Sequence, residues 1–386
     1  MNKVRIGIVG LGNMGSGHAH QFLAGKVSRM ELAAVADSDP EKLKRVPQVK
    51  GFSSADEMIA SGLIDAILIA TPHYDHTTIG IKALKAGIHV LVEKPISVHR
   101  ADCERLIAAH TNKKQVFAAM FNQRTDHYYI KIRELIRSGE LGEIRRVNWI
   151  ITNWFRTETY YASGGWRATW AGEGGGVLLN QCPHNLDLFQ WMFGMPVKLR
   201  SHIGFGRYHA IEVDDDVTAY MEFKNGATGV FITSTGEAPG TNRLEIVAER
   251  GRVVYENDKI TYDRNEQEMT EFSRTTDKGF AVPERWNVTI PASGHGGQHN
   301  QVTQNFVDSI LDGTPLVAPA QEGIHSVELA NAMLLSAWTD KEVSLPIDGK
   351  KYERLLKQKI AESASKKKTK KVAKISGDDF AKSFGK

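Results

Sequence analysis

Two side chains in this 386-residue chain stand where acid–base chemistry can be done. Lys94 lies in Glu93-Lys94-Pro95, directly after His89-Val90-Leu91-Val92, a run that reads as a buried strand. Ligands of doubly wound sheets bind at the carboxyl ends of such strands. A lysine there can hydrogen-bond a hydroxyl and stabilise a developing alkoxide. His184 follows a glycine run in Gly174-Gly175-Gly176-Val177-Leu178-Leu179-Asn180-Gln181-Cys182-Pro183-His184-Asn185-Leu186-Asp187. Its spacing of four from Asn180 predicts a shared face on a helix over 177–193. A histidine so placed can pass a hydroxyl proton to or from water. The bland alternatives are a surface lysine and a core histidine hydrogen-bonded to Asp187. Pro183 inside the helical pattern marks a kink or a helix start.

A third feature could hold the partner for that chemistry. Val4 to Val9 reads as a strand and runs into Gly10-Leu11-Gly12-Asn13-Met14-Gly15. In G-x-G-x-x-G the first glycine permits a tight turn, the second lets backbone approach a pyrophosphate, and the third allows close helix–strand packing. Asn13 and Met14 then open a helix whose free N–H groups attract phosphate. The second strand ends at Ala36, and Asp37 follows 22 residues after Gly15. An acidic side chain there accepts from the ribose hydroxyls and repels a 2′-phosphate, which favours NAD over NADP. Ser38 could hydrogen-bond a phosphate, so NADP is also accommodated.

These groups need a scaffold, and the first third of the chain supplies one. Short β-branched runs at 4–9, 32–36, 66–70, 89–92 and 116–120 alternate with helical stretches at 14–24, 56–60, 77–86 and 101–110. That alternation means right-handed βαβ units and a mostly parallel sheet. After about residue 123 the pattern changes. A helix at 128–138 and a strand at 144–152 precede an irregular stretch rich in Trp, Tyr, Arg and Gly. Strands at 217–223, 228–234, 244–248, 252–256 and 259–262 then run without intervening helices, which indicates an antiparallel, open-faced sheet. Late helices at 299–311 and 323–337 are expected to pack back on the junction. The expected domains are residues 1–122 (dinucleotide binding), 123–348 (substrate binding and oligomerisation) and 349–386 (a helix and a lysine-rich tail).

Strand, G-x-G-x-x-G, helix, then Ala70-Thr71-Pro72, Glu93-Lys94-Pro95, and three glycines followed by His184 and Asp187, resemble the glucose–fructose oxidoreductase/inositol dehydrogenase/rhizopine-catabolism family. The resemblance runs from about residue 3 to about residue 348. It implies an α/β fold: an N-terminal Rossmann sheet, and a C-terminal α/β domain whose large, mostly antiparallel sheet serves assembly into a homodimer or homotetramer. It also implies hydride exchange between NAD, or NADP, and a hydroxyl or keto carbon of a sugar, sugar derivative or cyclitol. In that family a lysine, an aspartate and a histidine form the catalytic group. Lys94 and His184 match, whereas Asn180 stands where the family has aspartate, although some relatives similarly carry asparagine there. A neutral amide can orient the substrate or Lys94 but cannot take up a proton. Some relatives instead hold NAD permanently and cleave glycosides by oxidation and elimination; others are non-catalytic regulators.

Further site candidates come from position. Thr71, Pro72 and His76 follow a strand end and are expected to border the nicotinamide, with Glu93. Asn122, Gln123 and Arg124 follow another strand at the domain boundary. Trp154, Arg156, Tyr160, Trp166 and Arg167 suit a carbohydrate, since aromatic faces stack on rings and guanidinium groups donate fixed hydrogen bonds. His295 and His299, near Gly296-Gly297, read as a solvated loop, with closure of the pocket as the alternative. No metal spacing is evident.

Composition bounds the rest. At 41% hydrophobic and 24% charged residues the chain is an ordinary globular protein. It has no apolar run long enough to span a membrane and no leader-like segment after Met1. Two cysteines exclude a disulfide scaffold and fit a reducing cytoplasm. The net charge of +4 belongs to the end of the chain, where Lys366-Lys367-Lys368-Thr369-Lys370-Lys371 reads as a self-repelling, disordered tail. The body is slightly acidic, so no nucleic-acid partner is expected.

Overall fold

A computed structural model describes residues 2–364. The lysine-rich tail lies outside the described residues. The N-terminal third forms a six-stranded parallel sheet from β1 (Val4–Val9), β2 (Met30–Ala36), β3 (Lys50–Phe52), β4 (Ala66–Ile69), β5 (His89–Val92) and β6 (Phe117–Ala119), in the order β3-β2-β1-β4-β5-β6. Strand order reverses between β1 and β4, which opens a crevice at their carboxyl ends. Every residue of β4 is buried, as is expected of a parallel strand covered on both faces.

The rest of the chain builds a nine-stranded sheet from β7 (Ile144–Ile151), β8 (Lys198–Phe205), β9 (Asp214–Glu222), β10 (Thr228–Ser234), β11 (Asn242–Ala248), β12 (Gly251–Glu256), β13 (Lys259–Asn265), β14 (Arg285–Ile290) and β15 (Val343–Ser344), in the order β14-β13-β12-β11-β7-β10-β9-β8-β15. The sequence predicts an antiparallel sheet and six of these strands, without β8, β14 and β15; one ladder also departs from the antiparallel pattern. β7 and β10 lie side by side and parallel, pairing Trp149 with Phe231. The chain between them makes a long crossover that includes the helix Pro183–Phe193, as parallel neighbours require.

Alternation along these strands sends one set of side chains to the core. Trp149, Ile151, Met221, Phe231 and Leu244 pack in one cluster with Leu186 and Phe189 of helix Pro183–Phe193 and with Leu329 and Met333 of helix Gly323–Thr339. The other set, including Ile150, Val230 and Ile232, stays half-buried, and Tyr220 is exposed.

The late part of the chain returns to the first sheet. Helix Gln298–Asp312 contributes Val302, Phe306 and Val307 to the cluster that holds Val4, Ile6 and Ile8 of β1. Helix Gly349–Ala364 packs on helix Arg100–Ala108. No helix among the described residues is long and apolar enough to cross a membrane.

Candidate active site

The glycine loop leaves β1 at the switch point. Gly10 has φ +88, and a Cβ there would lie 2.7 Å from the carbonyl oxygen of Ala70. A Cβ on Gly15 would lie 1.8 Å from the Gly10 carbonyl oxygen, so helix Asn13–Leu23 can approach the loop only because this residue is glycine. Gly12 differs: a Cβ there would meet nothing within 4 Å. Its bare Cα faces open space at the helix N-terminus, beside the first-turn residues Asn13 and Met14. Asp37 sits buried at the end of β2 and braces this loop. Its carboxylate accepts from the N–H of Leu11 (2.7 Å) and of Asp39 (2.9 Å), with Lys42 Nζ at 3.4 Å. A carboxylate oxygen can take two hydrogen bonds, so the one that faces Leu11 remains able to accept another. Ser38 beside it is exposed. Arg45, which the sequence reading did not single out, donates to the Leu11 carbonyl at 3.1 Å.

At the end of β4, Thr71 Oγ1 is buried without a protein partner, and Pro72 leads into helix His73–Lys85. His76 was expected at the nicotinamide. Its ring is instead held between the carbonyls of Pro95 (2.8 Å) and Thr71 (2.9 Å), tying together the loops after β4 and β5. Glu93 is buried and accepts from His18 Nε2 at 2.8 Å. Burial alone would raise its carboxyl, but the His18 hydrogen bond and the charges of His18, His299 and Lys94 overrule it and hold it at about 2.

Lys94 reaches across the crevice and donates to the main-chain oxygen of Asn180 at 2.8 Å. Burial lowers its ammonium from the ordinary value; Glu93 and Glu173 oppose that, while Arg167 and Arg156 add to it. The local chain around Asn180 is not the helix that its spacing from His184 predicts. The Asp214 carboxylate of β9 accepts from the N–H groups of Gly176 (2.6 Å) and Leu178 (2.8 Å). That capture holds residues 177–182 in successive turns, and the helix starts at Pro183, whose missing N–H suits a first position. Asn180 therefore precedes the helix, and His184 lies in its first turn.

His184 is buried, its Nδ1 has no protein partner, and its ring meets the edge of Phe121 at 6.3 Å between centroids. Burial holds its imidazolium well below the ordinary value, and the charges of Lys94 and His299 act in the same direction. Asp187 does not pair with it. Asp187 binds Arg124 through both oxygens (2.7 and 2.6 Å), with both side chains almost fully enclosed. Arg124, expected at the substrate, also donates to Glu322 at 2.5 Å and is thus engaged inside the protein. Asn122 donates to Gln298 Oε1 at 2.6 Å, while its own Oδ1 and the Oε1 of Gln123 are buried without partners.

The aromatic stretch converges on the same crevice. Tyr160 Oη accepts from Arg167 (3.0 Å) and from Gln181 (3.2 Å). Arg156 lies over the rings of Trp154 and Tyr160, at 5.6 and 5.1 Å, and Arg167 over Trp166 at 4.8 Å. Trp166 meets His73, next to Pro72, edge-on at 6.0 Å. His299 corrects the reading of a solvated loop: it lies in helix Gln298–Asp312, its ring 5.5 Å from that of His18, and burial pulls its imidazolium down to about 4. His295 is at the surface, bonded to Asp126 at 2.7 Å. The sequence reading passed over Glu173, a buried carboxylate that accepts from Ala168 N–H at 2.6 Å and from Asn180 Nδ2. No group of three or more potential metal ligands occurs among the described residues.

Two family models match this arrangement. Residues 4–121 match the oxidoreductase family with an NAD-binding Rossmann fold, and residues 129–254 match the GFO/IDH/MocA C-terminal domain. The chain belongs to the Gfo/Idh/MocA oxidoreductase family. It is 25% identical to 1-carboxy-3-chloro-3,4-dihydroxycyclohexa-1,5-diene dehydrogenase of Comamonas testosteroni, covering 86% of this chain and 94% of the relative. It is 24% identical to the scyllo-inositol 2-dehydrogenase (NADP(+)) of Bacillus subtilis, covering 89% and 97% respectively. Among solved structures, the WlbA dehydrogenase of Chromobacterium violaceum in complex with NADH and UDP-GlcNAcA aligns with a TM-score of 0.77 at 26% identity, over 90% of this chain and 97% of that one.

The site fits a nicotinamide dinucleotide on its own geometry. Gly12 keeps open space at the helix N-terminus free of a side chain, and buried, unpartnered atoms of Thr71, Asn122, Gln123, Gln181 and His184 lie just after β4, just after β6 and at the start of helix Pro183–Phe193.

Proposed function

We propose that this Gfo/Idh/MocA protein is a dehydrogenase of a CH–OH group in a sugar, sugar derivative or cyclitol, using NAD and accommodating NADP. The observation that carries the reading is the meeting of Lys94, delivered by β5, with Asn180 and His184, delivered by the turn and helix after the glycine run. Gly10, Gly12 and Gly15 with the helix N-terminus would receive the pyrophosphate, and Asp37 the adenosine ribose. A bound nicotinamide would supply the hydride acceptor, or donor, for the carbinol carbon.

The protein's own groups handle the proton. Burial keeps the His184 imidazole neutral at neutral pH, so it can take the hydroxyl proton. Lys94 Nζ, held by the Asn180 carbonyl, keeps further N–H donors for the hydroxyl oxygen. Tyr160, Trp154 and Trp166 offer ring faces to the substrate. Arg156 makes no ion pair among the described residues and favours a substrate that carries negative charge. The relatives' sugar-acid and carboxylated ring ligands agree with that preference.

We further place the protein in the cytoplasm, on its two free, buried cysteines. We assign its assembly, as a homodimer or homotetramer, to the half-buried outer face of the nine-stranded sheet. We also propose domain boundaries near residues 122 and 348, a division that the two separate sheets support at the first of them. The test is incubation with NAD or NADP and a panel of inositols, hexoses and nucleotide-linked uronic acids, following reduced cofactor. Reduction with at least one member is expected. Demonstrated NADH binding with no reduction across the panel would overturn the reading.

A further inference from the structure

The site has asparagine where the resemblance places an aspartate, yet it holds another carboxylate close by. Glu173 precedes the glycine run and is buried. One carboxylate oxygen accepts from Asn180 Nδ2 and the other from Ala168 N–H. Arg167 Nη1 stands 3.7 Å away, and the Glu173 carbonyl lies 3.2 Å from His73 Nδ1. An ionised carboxylate can only accept hydrogen bonds. Asn180 must therefore turn its NH₂ toward Glu173, which leaves its Oδ1 on the opposite side of the amide as an acceptor. The same residue's main-chain oxygen holds Lys94 Nζ. Glu173 thus orients the side-chain amide of Asn180, while the main-chain oxygen of the same residue anchors Lys94.

We propose that Glu173 is a positioning residue that restores, through Asn180, what the missing aspartate would do: it presents an acceptor at the hydroxyl and keeps a negative charge beside Lys94. This rests on the dehydrogenase reading above. The groups facing Glu173 are Arg167, Lys94, the Asn180 amide and the His73 ring, and three of them favour its ionised form. Burial opposes them and raises its carboxyl to about 7, so the device switches near neutrality.

Two measurements on the full-length protein test this. The first needs no substrate: competitive acetylation of Lys94 against pH, read by mass spectrometry on the NADH-bound protein. Removing a nearby negative charge in Glu173→Gln should shift the Lys94 labelling midpoint to lower pH by about one unit. An unchanged midpoint overturns the proposal. The second is a double-mutant cycle on kcat with a sugar or cyclitol from the panel. Glu173→Gln leaves one acceptor oxygen for two donors and should lower kcat by about tenfold or more with little change in NADH affinity. Asn180→Asp alone places two carboxylates together and should also lower kcat. The double variant, which returns a single carboxylate to the family position, should recover most of the loss. Losses that simply multiply overturn the proposal. Should Glu173→Gln fail to fold, the wild-type labelling curve decides: it should carry a second inflection near pH 7 from Glu173, and a single-step curve refutes the coupling. If no panel compound is oxidised, the dehydrogenase reading fails while the labelling still reports on Glu173.

Discussion

Gly12→Ala and Gly15→Ala separate two uses of one loop. At Gly12 the backbone is extended with φ −65, which any residue adopts, and a Cβ would meet nothing within 4 Å. Alanine there removes only unfolded-state freedom, so stability should hold or rise by about 0.4–1 kcal/mol. The added methyl stands where phosphate oxygens would approach the helix N-terminus. Losing one charge-assisted hydrogen bond is worth about 1.5–3 kcal/mol, which corresponds to about 10- to 100-fold in Kd. The loss should be equal for NADH and NADPH, because the pyrophosphate is common to both. At Gly15 the Cβ would sit 1.8 Å from the Gly10 carbonyl oxygen, well inside ordinary contact. That overlap must be relieved by moving the helix or the loop, at about 1–3 kcal/mol or more. Fluorescence titration of NADH and a thermal melt on each variant give the two readouts. A Gly12→Ala protein that binds NADH as tightly as wild type would refute the phosphate-binding role. A Gly15→Ala protein that melts unchanged would refute the packing role.

Other consequences follow from the same geometry. Asp187→Asn leaves the enclosed Arg124 with Glu322 as its remaining carboxylate partner and should cost about 3 kcal/mol, the low end for breaking a buried pair, in denaturant melts; Arg124→Met with Asp187→Leu together should cost much less than Arg124→Met and Asp187→Leu measured singly and summed. In a Glu173→Gln background, which removes the group that titrates near neutrality, the pH profile of hydroxyl oxidation should stay flat below the ordinary histidine value of 6.5 and fall only as pH drops through the lowered His184 value, since protonation removes the base. His73 is held down to about 3 chiefly by burial, so the unfolded chain binds more protons between that value and 6.5. Its share of stability is complete above 6.5 and is lost as pH falls from there, by at most about 1.4 kcal/mol per unit; His73→Phe should flatten that slope in melts at graded pH. Ile232→Arg on the outer face of the second sheet should lower the subunit number seen by light scattering; an unchanged number assigns the assembly to another surface.

The parts of the molecule legible in the sequence are those in which neighbours along the chain determine the outcome. The strand–glycine–helix unit and Asp37 lie within one βαβ repeat, so spacing alone locates them. Lys94 is reported by the apolar run before it. Pro183 announces a helix start, but the unwinding of 177–182 depends on Asp214, whose carboxylate arrives from a strand more than 30 residues later. Arg124 and Asp187 are 63 residues apart, and nothing local distinguishes a guanidinium held in an enclosed pair from one offered to a sugar. Strand β8, Lys198–Phe205, carries Lys, Arg, Ser and His among its apolar residues, and β15 is two residues long, so neither has a clear period. Glu173 did leave a signal: a lone acidic residue against three glycines, in a stretch otherwise supplying aromatics and arginines to the site.

Helix Gln298–Asp312 seals the underside of β1 with Val302, Phe306 and Val307, although nearly three hundred residues separate them in the chain. During synthesis the nucleotide-binding sheet emerges first but lacks that covering until the helix has left the ribosome. Its apolar patch stays wet through most of translation, and the first 122 residues expressed alone would keep it so. A fragment of that length should precipitate or recruit chaperones unless the segment 298–312 is supplied alongside it.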